Sequence, residues 1–226
     1  MSDHTPTAWT GLRAGLRKPW AKPLWAAVLL APLVYLVWAA ATQALGPNPA
    51  EALIWHTGEL ALRMLCLTLL ITPLRVLSGV TELARFRRLC GLLAYTYGVL
   101  HLLCYSWFDM GFEWADIGAD ILKRPFIWMG MLTFVLLSLL AATSFNGAIK
   151  RLGAARWQAL HRLVYLAAIT AMLHFYWKRA GKHHFTEVWV YGGILAALLL
   201  WRLVRRLQSR RSRAKVSNAD SRSRTK

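Results

Sequence analysis

Acidic side chains are scarce in this sequence. Ten aspartates and glutamates stand against 28 lysines and arginines, which gives a net charge of +18, although 57% of the 226 residues are hydrophobic. Apolar membrane spans with basic ends account for both values, whereas a soluble domain does not combine them easily. The composition therefore predicts an integral membrane protein and argues against a soluble globular fold.

Cysteine and nucleotide-binding motifs are also lacking. The three cysteines, Cys66, Cys90 and Cys104, lie in or beside apolar runs without CxxC spacing. This pattern excludes a disulfide framework and a zinc site, so we interpret these side chains as apolar packing residues. Neither a GxGxxG nor a Walker pattern occurs. The protein is therefore not expected to take electrons from NADPH by itself.

A removable leader is not evident either. Residues 1–23 contain no short apolar core followed by a small-residue cleavage site. We predict a basic cytoplasmic segment at 1–23, a transmembrane domain at 24–206, and a basic, disordered cytoplasmic tail at 207–226. Because the Arg/Ser-rich tail follows a membrane span directly, we expect it to contact anionic lipid and not nucleic acid.

Six apolar runs are long enough to cross a bilayer. They lie approximately at residues 24–45, 52–74, 90–108, 126–145, 156–177 and 188–204. The sequence therefore predicts an all-α membrane bundle of six transmembrane helices, and no internal repeat is evident. Such a bundle interacts first of all with the lipid bilayer.

The distribution of basic residues predicts the orientation of the bundle. Basic clusters precede the first span and follow the second, fourth and sixth spans, all on one side of an alternating bundle. The first link is neutral and the third is acidic, and both fall on the other side. The positive-inside rule therefore places both termini in the cytoplasm. Lys178, Arg179 and Lys182 on the outer side are the exception.

Three histidines lie inside the predicted spans, at positions where a bilayer offers no water. His101 is in the third span, and His161 and His174 are in the fifth. Ionisable groups in hydrocarbon are costly and mark function. Neutral imidazole is a common iron ligand, and a low-spin haem needs two imidazoles on facing helices. The alternative is that each histidine forms a hydrogen bond between helices.

Residue counting from the cytoplasmic ends of the spans favours one pair of histidines. At 1.5 Å per residue, His101 lies about 20 Å from Arg88. On the same scale, His161 lies about 8 Å and His174 about 27 Å from Arg156. The smaller mismatch predicts that His101 and His174 hold a haem near the outer face. His161 would serve a second, inner haem, and two haems require a bend because His161 and His174 are about 140° apart on a straight helix.

Basic residues lie at both ends of these spans and could pair with haem propionates. Arg87, Arg88 and Arg162 are at the inner end, and Lys178 and Arg179 are at the outer end. The alternative for each of them is anchoring at the membrane interface.

The second span is the most polar. It contains His56, Glu59 and Arg63, and the last two are four residues apart, the spacing at which they can pair on one helix face. A proton-coupled transporter that uses these groups as a relay is a rival hypothesis, although no internal symmetry supports it. A membrane anchor without redox activity is a second rival. We interpret His56 as a packing or interface residue, with a quinone or haem contact as the alternative.

The remaining histidines lie outside the spans. His183 and His184 follow the fifth span and His4 is in the N-terminal segment, and we interpret all three as solvated.

Several segments resemble the ferric reductase-like membrane haem proteins, and more closely the haem-bearing membrane subunits of bacterial methionine sulfoxide reductase systems. The most specific segment is RLGAARWQALHRLVYLAAITAMLH, from Arg151 to His174. The others are GPNPAEAL from Gly46, HTGELALR from His56, TPLR from Thr72, RFRRLCGLLAYTYGVLHLLCY around His101, KRPFIWMGM from Lys123 and TSFN from Thr143.

The resemblance implies one or two b-type haems bound by His101, His161 and His174, together with FMN. It implies an electron-transfer subunit in the bacterial inner membrane that is not itself the catalytic subunit. Electrons would come from the quinone pool or a cytosolic flavin reductase and pass to a periplasmic molybdopterin-dependent reductase that repairs oxidised methionines. No flavin motif is evident, and the long tail after Arg202 departs from the family pattern, as does the basic outer link.

Overall fold

The computed structural model describes residues 9–180 and 185–224, with side chains up to residue 212 except that of residue 210. The described residues are almost entirely helical and contain no strand. The helices are α1 (Thr10–Arg17), α2 (Ala21–Ala41), α3 (Pro49–Ser78), α4 (Ala84–Cys104), α5 (Trp114–Lys123), α6 (Pro125–Ala142), α7 (Asn146–Leu152), α8 (Ala154–His161), α9 (Leu163–Ala180) and α10 (Thr186–Arg224).

Six segments of the described chain are long and apolar enough to cross a membrane, which confirms the predicted six-helix all-α bundle. They are Ala21–Ala41, Pro49–Ser78, Thr81–Asp109, Pro125–Ala142, Ala154–Ala180 and Thr186–Ser209. The end of the bundle with the α2–α3 and α9–α10 connections is called the outer end, after the predicted orientation.

Helix α3 lies at the centre of the bundle. Half of its most apolar window is buried, against 17% for α2. Its start is specified locally, because the Asn48 side chain accepts a hydrogen bond from the Glu51 backbone N–H at 3.2 Å and Pro49 occupies the first turn. It ends at Gly79, whose φ of 69° is left-handed.

The core forms where α3 packs against α4 and α6 packs against α9. Small residues let these helices approach closely, since Ala94, Ala167 and Ala168 are fully buried. The hydroxyl of buried Tyr97 on α4 donates to the Leu29 carbonyl on α2 at 2.8 Å and so ties the first span to this core.

Outward-facing positions remain apolar, as lipid requires. Val34 and Val37 on α2 are 68% and 63% exposed, and Leu200 on α10 is 61% exposed. In water these side chains would form an unfavourable apolar surface, whereas in a bilayer they contact acyl chains.

Helix α1 packs against the turn between α3 and α4. Glu82 in this turn pairs with Arg17 at 2.6 Å and with Arg13 at 3.9 Å, and Arg85 donates to the Leu16 carbonyl at 2.7 Å. These contacts hold the N-terminal segment against the inner end of the bundle.

The structure adds details that the sequence pattern did not predict. The fifth span is interrupted at Arg162, between α8 and α9, and a π-helical turn at Tyr105–Asp109 ends the third span. The acidic third link contains helix α5. Helix α10 continues as far as Arg224. His4, Lys182, His183 and His184 lie outside the described residues.

Candidate functional site

The structure brings together His101 and His174, the two histidines that residue counting pairs. His101 is on α4 and His174 is on α9, and the centres of their rings are 6.1 Å apart. The ring planes make an angle of 77°. Both residues lie toward the outer end of their helices, three and six residues before the last helical residue.

Both imidazoles are held in the same way. Nδ1 of His101 is 2.8 Å from the Ile54 carbonyl oxygen on α3, and Nδ1 of His174 is 2.7 Å from the Phe126 carbonyl oxygen on α6. A carbonyl oxygen can only accept a hydrogen bond, so each Nδ1 carries the proton. The Nε2 atom of each neutral ring therefore keeps its lone pair, which is the form that binds a metal.

A glycine faces each ring, one helical turn after the accepting carbonyl. A Cβ atom at Gly58 would lie 2.9 Å from Cε1 and Nδ1 of His101, and one at Gly130 would lie 2.9 Å from Nδ1 of His174. Real Cβ atoms essentially never approach other atoms so closely. Each ring can therefore reach the helix backbone only because these positions have no side chain.

These contacts form a structural repeat. In α3–α4 and again in α6–α9, a carbonyl, a glycine four residues later and a histidine on the partner helix make one unit. The carbonyl and the histidine are 47 residues apart in the first unit and 48 in the second. The repeat is geometric and is not evident as sequence similarity, so it could not be predicted from the residues.

The surroundings of this pair are mostly apolar. The Phe126 ring lies 5.9 Å from the His174 ring, and Nζ of Lys178 lies 5.7 Å from the centre of Phe126 at the outer end. Among the described residues no group of three or more His, Cys, Asp or Glu side chains is placed to hold a metal ion.

His161 lies apart from the pair. Its Nε2 is 3.2 Å from the Thr143 hydroxyl, and its ring stacks on Trp157 at 3.9 Å between centres. Trp157 also donates its indole N–H to the Thr143 carbonyl at 2.8 Å. Arg162 lies between α8, which ends at His161, and α9, which carries His174.

The basic residues predicted to pair with haem propionates differ in exposure and in their contacts. Arg162 is exposed in the turn between α8 and α9, and Arg88 donates to the Asn146 side chain at 2.9 Å. Arg179 is buried, pairs with Glu187 and stacks on the Trp55 ring at 3.4 Å.

The predicted Glu59–Arg63 pair is present on α3. Nη2 of Arg63 is 2.7 Å from Oε1 of Glu59. Tyr191 on α10 completes the cluster, because its hydroxyl accepts from Nε of Arg63 and donates to Glu59, both at 2.8 Å. Tyr191 lies 128 residues after Arg63 and was not predicted to join this pair.

Comparison with known proteins agrees with this architecture. Residues 57–172 match the family described as "Ferric reductase like transmembrane component". The chain is also similar to proteins named "Protein-methionine-sulfoxide reductase heme-binding subunit MsrQ". The protein of Polaromonas naphthalenivorans is 58% identical, over 87% of this chain and 90% of that protein.

Two further relatives have the same name. The protein of Ralstonia nicotianae is 47% identical over 75% of this chain and 78% of its own length. The protein of Herminiimonas arsenicoxydans is 49% identical over 72% of this chain and 74% of its own length. Together with the six apolar helices, these matches establish that the chain is a multi-pass membrane protein of the ferric reductase-like transmembrane family and belongs to its MsrQ group.

Proposed function

We propose that this protein is a haem-bearing electron-transfer subunit, in which His101 and His174 are the axial ligands of a b-type haem near the outer end. The observation that carries the proposal is the pair of facing imidazoles, each with Nδ1 bonded to a carbonyl and Nε2 available. The relatives' printed name, a haem-binding subunit of a methionine sulfoxide reductase, supports the same conclusion.

The spacing of the rings fits an iron between them. Bonds from imidazole nitrogen to a metal are about 2 Å long. An imidazole built from bonds of about 1.3 Å has its centre roughly 1 Å from each ring nitrogen. Two bonds and two ring radii in line therefore amount to about 6 Å, and the observed separation of the centres is 6.1 Å.

A bound haem supplies one-electron chemistry, and the surrounding residues control its properties. The Ile54 and Phe126 carbonyls fix the orientation of both rings and make each imidazole a stronger ligand. The Phe126 ring lies 5.9 Å from the His174 ring, and such an apolar neighbour affects the reduction potential of a haem. Helices α3 and α6 therefore position the two ligands that α4 and α9 carry.

In this proposal His161 belongs to a second, inner haem. A one-residue break at Arg162 separates His161 from the span's second helix, which carries His174. Arg87, Arg88 and Arg162 are exposed near the inner end and would serve its propionates.

We further propose the direction of electron flow. Electrons enter from a quinone, or from a cytosolic flavin reductase with FMN as an additional cofactor, and leave to a periplasmic molybdopterin-dependent reductase that repairs oxidised methionines. The bundle lies in the bacterial inner membrane with both termini in the cytoplasm, as the basic clusters favour.

The rival functions make different use of the same residues. The absence of internal symmetry in the sequence no longer argues against a transporter, because the two carbonyl–glycine–histidine units form a structural repeat. However, a proton relay needs its groups connected in a chain, and the two histidines instead bond separately to backbone carbonyls. A passive anchor gives no reason for two imidazoles to lie with their centres 6.1 Å apart, each with Nδ1 bonded to a backbone carbonyl.

The experiment that tests the function uses purified holoprotein in vesicles with ascorbate trapped inside and ferricyanide outside. We expect the wild-type protein to transfer electrons across the membrane and reduce the ferricyanide. A His101→Ala/His174→Ala double variant should be no faster than protein-free vesicles, and His56→Ala serves as the matched control with wild-type behaviour. Equal rates for the double variant and the wild type would contradict the proposal.

The outer acidic segment is the proposed docking surface for the reductase. Asp109, Glu113 and Asp116 are exposed and form no ion pair with the described residues, whereas Asp120 is held by Tyr105 and Arg124, each at 2.8 Å. Three free carboxylates attract a basic partner and raise its association rate.

Neutralising these three carboxylates together should slow electron delivery to the reductase about tenfold at low salt. The difference in rate between wild type and variant should shrink at high salt, because salt screens the attraction between the carboxylates and the basic partner. Ferricyanide, a small anion, provides the control, since its reduction should not slow. A variant that delivers electrons to the reductase at the wild-type rate at low salt would exclude this docking surface.

A further inference from the structure

Helix α3 presents a row of ionisable side chains to the membrane. His56, Glu59 and Arg63 are three and four residues apart, so they lie on one face of the helix. His56 is exposed, and the Arg63 side chain is 51% exposed, whereas that of Glu59 is only 11% exposed. A charge facing hydrocarbon is costly and marks a functional contact.

The cluster at Arg63 holds its polar atoms in fixed positions. Arg63 Nη2 and the Tyr191 hydroxyl both donate to Oε1 of Glu59, and the same hydroxyl accepts from Arg63 Nε. Oε2 of Glu59 and Nη1 of Arg63 have no hydrogen bond with the described residues. One acceptor and one charged donor therefore remain available to a ligand.

The depth of Arg63 limits which ligands can reach it. Arg63 is near the middle of α3, about 21 Å from Pro49 and about 23 Å from Ser78 along the helix axis. The hydrocarbon core is about 30 Å thick, so lipid phosphates lie well away from this position. Only a lipid-soluble molecule with a small polar head is expected to reach the guanidinium.

The free polar atoms of the row indicate the chemical class of the head group. Nη1 of Arg63 is a charged donor without a partner among the described residues, and exposed His56 lies on the same face seven residues earlier. A carbonyl oxygen is the acceptor that an uncharged, lipid-soluble head group can offer to such donors.

We infer that the face of α3 formed by His56, Glu59 and Arg63 is the binding site for the head of a quinone. The site is next to the proposed haem ligand, because Gly58, the neighbour of Glu59, contacts the His101 ring. One helix diameter, about 10 Å, therefore separates the row from the histidine pair. The inference rests on the proposed electron-transfer function and names where its lipid-soluble donor binds.

The test measures binding of a short-chain benzoquinone or naphthoquinone to purified holoprotein in nanodiscs by equilibrium dialysis. Arg63→Met should weaken binding roughly tenfold or more, because a charge-assisted hydrogen bond is lost. Tyr191→Phe should weaken quinone binding less, because this change removes only one hydrogen-bond partner of the Arg63 guanidinium. Arg75→Met, at an exposed position of the same helix, is the matched control and should bind as the wild type does.

Reduction by dithionite and the haem spectrum are recorded for every variant. An unchanged spectrum with weakened quinone binding supports the site and shows that the bundle has folded. If Arg63→Met binds quinone like the wild type, or if the wild type binds none while its haem is intact, the inference is wrong although the proposed function stands. If Arg63→Met changes the oligomeric state and leaves quinone affinity unaltered, a second copy of the chain covers this face and the inference is again wrong.

Discussion

Replacing His101 with alanine is expected to abolish the spectrum of one low-spin haem, and replacing His174 is expected to abolish the same spectrum. In the proposed site each change removes one of two iron ligands, and the remaining imidazole alone cannot keep the iron six-coordinate. The centres of the two rings are 6.1 Å apart, so these two side chains are sufficient to supply both ligands of the proposed site. The measurement is the reduced-minus-oxidised absorption spectrum of each purified variant, together with its haem content per chain.

His161 and His56 provide the comparison for this result. His161→Ala should leave part of the haem signal, because His161 bonds to Thr143 and lies apart from the pair. His56→Ala should leave all of it, since His56 is exposed on the far side of α3 from the rings. If His161→Ala and His101→Ala behave alike while His174→Ala has no effect, the pair has been assigned wrongly.

Substituting alanine for Gly58 or for Gly130 should weaken haem binding about 10- to 100-fold, the usual effect of losing an outer contact of a metal ligand. The added methyl would lie 2.9 Å from the imidazole, so the ring must move away. That movement breaks the hydrogen bond from Nδ1 to the Ile54 or Phe126 carbonyl. Haem titration of the purified apoprotein measures the loss of affinity, and the midpoint potential of any haem retained should shift.

Gly98→Ala and Gly193→Ala are matched controls for the two glycine variants. Gly98 is on α4, one turn before His101, and a Cβ there would only touch Leu137 at 4.0 Å. A Cβ at Gly193 on α10 would meet no atom within 4 Å. Replacing glycine with alanine inside a helix normally stabilises the helix. A loss of haem affinity confined to the Gly58 and Gly130 variants would therefore come from the contact with the imidazole and not from a weaker helix. Unchanged affinity and potential in Gly58→Ala and Gly130→Ala would show that the carbonyl contacts are unimportant.

Some of the site could be predicted because helix geometry converts residue number into depth. Counting from Arg88 and Arg156 placed His101 and His174 within about 7 Å of the same level, and their rings are in contact range in the structure. The six spans could be predicted for the same reason, since length and hydropathy largely decide which segments cross a bilayer.

The partners of the histidines could not be predicted, because they are backbone atoms on other helices. Nothing in the residue type of Ile54 or Phe126 marks its carbonyl as an acceptor. Gly58 and Gly130 offered a signal that could have been used, since a glycine inside a membrane helix indicates close approach of a neighbour. Their relation to the histidines depends on how α3 meets α4 and α6 meets α9, which the sequence pattern does not specify.

The helix ends were also only partly predictable. Asn48 and Gly79 mark the ends of α3 by well-known preferences. The break at Arg162 has no proline or glycine beside it and could not be located from composition.

The most direct test of the central claim is the haem content and reduced-minus-oxidised spectrum of the wild-type protein, purified from iron-replete cells. Two partly buried imidazoles on neighbouring spans, each with Nδ1 bonded to a backbone carbonyl, predict at least one low-spin b-type haem per chain. Colourless protein that is folded and takes up no added haem would contradict the account, and the bundle would then need another explanation for His101 and His174.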